Sequence, residues 1–365
     1  MNKLKALILA GGFGTRLRPL SCTRPKILFP IVNKPLLEWT FERLANNGIN
    51  DVILAVSHQT ETFIKLSRVP RHGIHIAYSR DPLRKPLGTG GPIKKAQKLI
   101  GYNAPFLVIN GDIFADVNYA ELLKIHKEKH ALATIALHKV ADPSRFGVAE
   151  LAENGRIKRF VEKPEREKAP SNLINAGVYA FNPEIFEYIP EGRKVSLERE
   201  VFPKLVEEDM LYGCVFDGLW TDIGKPEDFL ETNKTLLSSI VKQQKLKTKG
   251  NVEIRSPVAF DKGVSLGEKS IIGPSSVLGR NVCIGKSVQI RESVIFPYTV
   301  ISDFSTIDNA IIGENVVIGT NVKIAKGCVI GDHVKIRDNV SLVNGVWVCP
   351  AKEVSESVLT PKCIA

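Results

Sequence analysis

KALILAGGFGTRLRPLSCTRPK, residues 5–26, is the stretch from which the fold of this chain is read. It opens on an apolar run, Ala6–Ala10, of strand length. The run breaks at Gly11-Gly12-Phe13-Gly14, presents Thr15, Arg16 and Arg18, and closes on Pro25-Lys26. Glycines directly after a strand permit a tight turn and let bare backbone N–H groups approach a ligand. Cations just behind such a turn suit a polyphosphate. By spacing alone an ordinary glycine turn with solvated arginines fits as well, because short glycine motifs are common. Two familiar phosphate-binding patterns are excluded by the letters. A GxGxxG turn needs glycine where Leu17 stands, and a Walker A loop needs a Gly-Lys-Ser/Thr that this stretch lacks.

Outward from this stretch, strand and helix signals alternate. Residues 34–48 read as a helix, with Leu37, Phe41 and Leu44 at helical spacing and Gly48 as a stop. Val52–Val56 reads as a buried strand, Thr60–Leu66 as a short helix and Ile74–Tyr78 as a strand. Pro86-Leu87-Gly88-Thr89-Gly90-Gly91-Pro92 leads into a helix with Ile93, Ala96 and Leu99 on one side. Phe106–Asn110 is another apolar strand, ending at Gly111-Asp112, followed by a helix near Tyr119–Lys129 and a strand near Ala133–His138. This alternation predicts a parallel, doubly wound sheet, whose ligands bind outside the carboxyl ends of the strands. The Gly11–Gly14 loop and Asp112 both fall at such ends. The following region is less regular and carries short motifs: Phe146-Gly147-Val148, Val161-Glu162-Lys163-Pro164, Asn175-Ala176-Gly177-Val178-Tyr179 and Trp220-Thr221-Asp222-Ile223-Gly224.

A different period governs the C-terminal third. Ile254, Phe260, Leu266, Ile272, Leu278, Ile284, Ile290 and Phe296 recur every six residues. After a slip through Ile301 and Ile307 the period resumes at Ile312, Ile318, Ile324, Ile330, Ile336, Leu342 and Val348. Glycine often follows the aliphatic residue, as at Gly267, Gly273, Gly279, Gly285, Gly313, Gly319 and Gly331. A period of six with glycine at the corners predicts a parallel β-helix. Similarity to hexapeptide-repeat proteins implies a left-handed one, with about 18 residues per coil and roughly five coils. The slip at 297–311 reads as a deformed corner, with a functional loop as the alternative. The expected division is a catalytic domain over 1–235, a helical linker over 236–250 and the β-helix with its tail over 251–365.

Composition agrees with two domains. The chain has 365 residues, 44% hydrophobic and 24% charged, which argues against disorder. No apolar run approaches the length of a membrane span, and the first one is too short and too soon broken for a signal peptide. Cys22, Cys214, Cys283, Cys328, Cys349 and Cys363 form no CxxC and have no nearby histidine. That argues against a zinc site or a disulfide framework and predicts a reducing, cytoplasmic setting. The formal net charge is +11. Many lysines lie in helix-like stretches, such as Lys124, Lys127 and Lys129, and no nucleic-acid-binding pattern is present, so anionic small substrates are the better match.

Asp112 and Asp222 are the metal candidates. A hard divalent cation on a nucleotide takes oxygen ligands, usually one or two carboxylates plus phosphates. Asp112 follows an apolar strand at the expected ligand face, although a helix cap would place an aspartate there too. Asp222 follows Trp220 in an apolar patch, where a turn aspartate is the alternative.

The opening stretch resembles the signature of the sugar-phosphate nucleotidyltransferases, or NDP-sugar pyrophosphorylases: G-G-x-G-T-R-L-x-P-L-T-x-x-x-P-K. The chain departs from it at Ser21, where threonine is usual. The resemblance implies a Rossmann-like doubly wound nucleotidyltransferase domain and transfer of a nucleotidyl group from an NTP to a sugar 1-phosphate, with release of pyrophosphate. It implies that Gly11, Gly12, Gly14, Thr15 and Arg16 hold the triphosphate, that Lys26 neutralises the reacting phosphates, and that Gly88 lies against the base. Glu162 and Lys163 would hold the sugar and its phosphate, with Gly147, Asn175 and Gly177 around the sugar. Asp112 and Asp222 match the family's two metal aspartates, with Mg2+ as the implied ion.

Within the family the chain is most similar to the branch that bears a β-helix and guanylylates mannose 1-phosphate. Arg159-Phe160-Val161-Glu162-Lys163-Pro164, Ser171–Gly177, Ser196–Pro203 and the Pro-Lys-Cys-Ile-Ala tail carry that similarity. GTP and mannose 1-phosphate are therefore the expected substrates, and a homo-oligomer through the β-helix the expected assembly. Gly111 departs from that branch, which more often has serine. Glycine there is common in glucose-1-phosphate uridylyl- and thymidylyltransferases, which leaves base and sugar open. Two further alternatives are a β-helix acyltransferase, for which only His333 is at hand, and a non-catalytic regulatory subunit, which would show a damaged phosphate loop or a lost metal aspartate.

Overall fold

The computed structural model describes residues 3–12, 14–82, 86–240 and 251–365. The chain divides into two compact units: Met1–Gly12 with Leu37–Asp222, and Phe13–Leu36 with Ile223–Ala365. The signature stretch is thus split between them just after Gly12.

In the first unit the strands β1 (Lys5–Leu9), β2 (Asp51–Val56), β3 (His75–Arg80) and β4 (Phe106–Asn110) are parallel, in the order β4-β1-β2-β3. They form because their apolar runs are buried, with Ala6, Leu7, Ile8, Leu54 and Val108 fully enclosed. Each leucine, isoleucine or valine among them stabilises the fold by about 1.5–3 kcal/mol. The crossovers are α1 (Leu36–Asn46), α2 (His58–Ser67) and α3 (Gly91–Ile100). α1 buries Leu37, Phe41 and Leu44 and stops as expected before Gly48, whose φ is +72°. Ser57 caps α2 by accepting a hydrogen bond from the Thr60 N–H.

The sheet is not parallel throughout. After the short strand β5 (Ile113–Ala115) and α4 (Tyr119–Glu128) come β6 (Ala133–Lys139), β7 (Gly147–Leu151), β8 (Ile157–Glu162) and β9 (Leu173–Phe181). β9 runs antiparallel to β4, β6 and β7, and β8 antiparallel to β7. β10 (Leu211–Val215) adds to β6, and β11 (Trp220–Asp222) pairs with β5 apart from the main sheet. The irregular second half of the domain is therefore mixed: β7 and β8 form a hairpin, β9 runs antiparallel to its neighbours, and β10 returns to join β6 in parallel.

The second unit is a parallel β-helix together with the segment before Leu36 and the helix α5 (Pro226–Ile240). Its strands lie in three parallel sheets of six, seven and six strands, so it has six coils rather than five. Glu253 faces Ile271 and Ile271 faces Gln289, 18 residues on. Gln289 faces Thr306 and Thr306 faces Lys323, 17 residues on, before Lys323 faces Ser341, 18 residues on again. Left-handed corner residues recur at Lys269, Ser275, Asn281 and Ser287, then after five residues at Glu292, and after another five-residue step at Asn309. The sequence slip is two single-residue deletions at corners, not a loop. The first deletion also corrects one position of the repeat: Ile295 joins the inner stack of Ile284, Ile290, Ile301 and Ile307, while Phe296 lies outside it. Residues 241–250 of the expected linker lie outside the described residues, and α5 ends at Ile240.

Candidate functional site

The strand order β4-β1-β2-β3 makes the gap between β1 and β4 a topological switch point, since the chain leaves β1 in one direction and β4 in the other. Gly11 follows β1 and Asp112 follows β4 at the same end of the sheet, and the Gly111 N–H donates to Leu9 O at 2.9 Å. β11 pairs antiparallel with β5 so that Asp222 faces Ile113, the residue after Asp112. The backbones of Asp112 and Asp222 are therefore close, and both residues are half-buried, although 110 positions apart in the chain.

Gly11 is needed for a close approach: a Cβ there would stand 2.4 Å from Asp81 Oδ2. Asp81 directly follows β3, and no motif in the sequence signals it. Its Oδ1 is buried without a hydrogen-bond partner, and burial, partly offset by Lys95, pushes the carboxyl up to about 6. Gly88 has φ +74°, and a Cβ would clash with Val195 O at 2.2 Å. Leu87 and Gly90 exchange backbone hydrogen bonds with Val195, which brings Thr89 to the segment that follows. Thr89 Oγ1 and Ser196 Oγ both donate to Glu198 Oε2 at 2.7 Å.

The four short motifs of the irregular half converge. The Phe146 and Trp220 rings meet edge to face at 5.1 Å, and Trp220 Nε1 donates to Ala176 O at 3.0 Å. Gly147 admits Phe160 and Glu162, whose Oε2 would lie 3.0 Å from a Cβ at that position. Asn175 Oδ1 accepts the Gly177 N–H at 2.9 Å, and its Nδ2 donates to Tyr179 Oη at 3.0 Å. Gly177, at φ +74°, leaves room for Asn110. Burial raises the Glu162 carboxyl above its usual range, and the nearby Glu198 adds to the shift while Lys163 and Arg199 oppose it. Lys163 is exposed, with Nζ 3.7 Å from Glu162 Oε1, on a backbone held at φ +52°. Such a conformation is unusual for a residue with a Cβ. No motif in the sequence assigns a role to Asn110, Thr89, Tyr179 or Glu198, because the contacts that join them, Thr89 to Glu198 and Asn110 and Glu198 to Tyr179, link distant parts of the chain.

Gly14, Thr15, Arg16 and Lys26 belong to the second unit. Thr15 and Arg16 are exposed in a short 3-10 turn, and Gly14 O accepts the Ser21 hydroxyl at 2.7 Å. Lys26 opens a further 3-10 turn, Lys26–Leu28, whose C-cap is Phe29. Phe29 is fully buried, edge to face with Phe229 at 5.7 Å and Phe296 at 6.4 Å. A hairpin follows, with Val32 at φ +48° and Asn33 at φ +65°, the two-residue turn that matches strand twist. It is fixed by Val32 N–H to Asn233 Oδ1 at 2.8 Å and Asn33 Nδ2 to Leu278 O at 3.0 Å. His333, the single histidine of the β-helix, occupies a left-handed corner at φ +61°.

The sequence profile described as "Nucleotidyl transferase" matches residues 5–239, and one described as "GMPPB C-terminal domain" matches 254–364. The chain belongs to the nucleotidyl transferase family, and it is an enzyme of that class. Enzymes of this family typically use a divalent metal ion. It is similar to the mannose-1-phosphate guanyltransferase of Saccharomyces cerevisiae, 41% identical over 68% of this chain and 70% of that one. It is also similar to the mannose-1-phosphate guanylyltransferase catalytic subunit beta of Dictyostelium discoideum, 41% identical over 71% of each. Among solved structures, UDP-glucose pyrophosphorylase complexed with UDP-glucose matches 65% of this chain and all of its own, at 26% identity and TM-score 0.55. HddC from Yersinia pseudotuberculosis matches 64% of this chain and 99% of its own, at 29% identity and TM-score 0.55. Among the described residues no helix is long and apolar enough to cross a membrane.

The raised Asp81 carboxyl has a consequence for stability. A folded-state value of about 6 lies above the unfolded value of about 3.9, so the folded protein binds this proton more tightly. Its stabilising effect is complete below about pH 4 and is lost as pH rises through about 6. Asp81→Asn should therefore melt higher than the parent at pH 7.5, with the difference vanishing near pH 4. Melting curves across that range check this, and a difference independent of pH would contradict it.

Proposed function

We propose that this enzyme transfers the guanylyl group of GTP to mannose 1-phosphate, giving GDP-mannose and pyrophosphate. The observation that carries this reading is the placement of Gly11, Asp112 and Asp222 at one sheet end beside the switch point, in a chain whose relatives bear that activity in their names. A sugar 1-phosphate is largely dianionic at neutral pH, because its second pKa is about 6. One of its oxygens attacks the α-phosphorus of GTP, the new P–O bond forms, and the bond from the α-phosphorus to the bridging oxygen breaks to release pyrophosphate. No general base is required. The obstacle is the meeting of two polyanions, so catalysis is alignment and stabilisation of phosphoryl charge.

In this reading Gly11, Gly12, Gly14 and Thr15 hold the triphosphate, Arg16 and Lys26 act on its reacting phosphates, and Gly88 lies against the base. Glu162, desolvated and flanked by Lys163, accepts from sugar hydroxyls, while Lys163 holds the sugar phosphate, with Gly147, Asn175 and Gly177 around the sugar. Asp112 and Asp222 fit a hard cation. Each offers carboxylate oxygens, the donors that a hard cation takes, and the β5–β11 pairing brings their backbones together. Bound Mg2+ would supply charge neutralisation on the phosphates. We place the catalytic domain at 1–235, the linker at 236–250 and the β-helix at 251–365, and the enzyme in the cytoplasm.

Pyrophosphate release should be fastest for GTP with mannose 1-phosphate, and a preference for UTP or dTTP with glucose 1-phosphate would overturn the choice of substrates. In the same assay Asp112→Asn and Asp222→Asn should each lower kcat by more than tenfold, or about 1.4 kcal/mol of barrier. Retention of more than a tenth of the activity by either would remove it from the metal site.

Lys163→Ala should raise KM for the sugar phosphate by about ten- to a hundredfold, since a charge-assisted contact is worth about 1.5–3 kcal/mol. KM for GTP should change far less. Equal effects on both substrates would refute the division of labour between the residues.

We also propose self-association through the β-helix, on whose outer faces Val300, Phe304 and Val317 are exposed. Light scattering should give a mass of at least two chains, and a truncation near residue 250 should lose it. A monomeric full chain would exclude the proposal.

A further inference from the structure

Three carboxylates of the β-helix do the same structural job. Asp303, Asp332 and Asp338 each accept, through Oδ1, a backbone N–H of the preceding coil at 2.7 Å, from Lys286, Glu314 and Thr320. Each requires a glycine beneath it. A Cβ on Gly285, Gly313 or Gly319 would come within 2.3, 2.5 and 2.4 Å of the respective oxygen. The device is a corner clamp repeated in the fold.

Asp332 differs in what its other oxygen does. Oδ2 accepts the Thr23 hydroxyl at 2.7 Å and the Arg24 Nη2 at 3.2 Å, and the side chain is 4% exposed. Arg24 also pairs with Glu314, and its guanidinium lies 4.9 Å from the centre of the Phe296 ring. Arg24 Nε is buried without a partner, so the guanidinium depends on these carboxylates for compensation. Thr23 and Arg24 stand between Arg16 and Lys26 in the signature stretch.

We infer that Asp332, a residue of the β-helix, is a positioning residue for nucleotidyl transfer: it grips Thr23 and Arg24 and so sets the placement of Arg16 and Lys26. This rests on the reading that those two cations act on the reacting phosphates. Displacements of about 1 Å in a positioned group cost about a hundredfold in rate. The β-helix then contributes to the chemistry through a defined contact and not only through assembly.

The test compares full-length Asp332→Asn, Asp303→Asn and Asp338→Asn. All three weaken a corner clamp, but only the first also loosens the signature stretch. Asp332→Asn should lower kcat about ten- to a hundredfold, with KM for mannose 1-phosphate unchanged, while the other two keep parental kcat. Arg24→Ala should lower kcat similarly, and the double variant should lose little more than either alone. Should Asp332→Asn not fold, Thr23→Val, which removes one contact to Oδ2 and no charge, carries the comparison. A kcat for Asp332→Asn equal to that of Asp338→Asn, or a loss in all three that tracks their melting temperatures, would overturn the inference. Lys26→Ala separates the two claims. If it keeps parental kcat, the role given to the signature cations fails; if it loses kcat while Asp332→Asn does not, only the present inference fails.

Discussion

The switch point between β1 and β4 is the constraint on which the first unit depends. Two adjacent parallel strands whose connections depart in opposite directions leave a crevice at their carboxyl ends, where helices cannot cover backbone N–H groups. Gly11 and Asp112 stand there because their strands end there, in register. The antiparallel half then fills in around the crevice. β9 lies directly against β4, which sets Gly177 against Asn110, and the β5–β11 pair delivers Asp222 beside Asp112. A one-residue slip of β9 would send its side chains to the opposite face of the sheet.

In the second unit the comparable constraint is coil spacing. Parallel strands about 4.8 Å apart leave no room for a side chain where one corner passes over the next, so glycine recurs beneath the clamping aspartates. The same regularity makes departures informative. The residue missing before Glu292 takes Phe296 out of the repeat's inner stack, and Phe296 packs against Phe29 and Phe229. That aromatic cluster, with the Arg24 contacts beside it, is where the later part of the signature stretch is held. The residues of the stretch after Gly12 are thus also a structural component of the β-helix unit.

Much of this was legible in the letters. The alternation of apolar runs and helix patterns determined the parallel half of the sheet, because periodicity reports which face of an element is buried. The six-residue repeat determined the β-helix for the same reason, the signature motif marked Gly11 and Lys26 as candidates, and the Asn110–Asp112 and Trp220–Gly224 motifs marked Asp112 and Asp222. What only the tertiary structure decided depends on partners distant in sequence. Asp81 has no motif and is singled out by its burial against Gly11, which follows from strand order. Glu198 gains its meaning from Thr89, and Asp332 is indistinguishable by spacing from Asp303 and Asp338. Period and composition record what each residue must be locally. Which oxygen of a clamp faces a second segment is set by packing, and packing is not periodic.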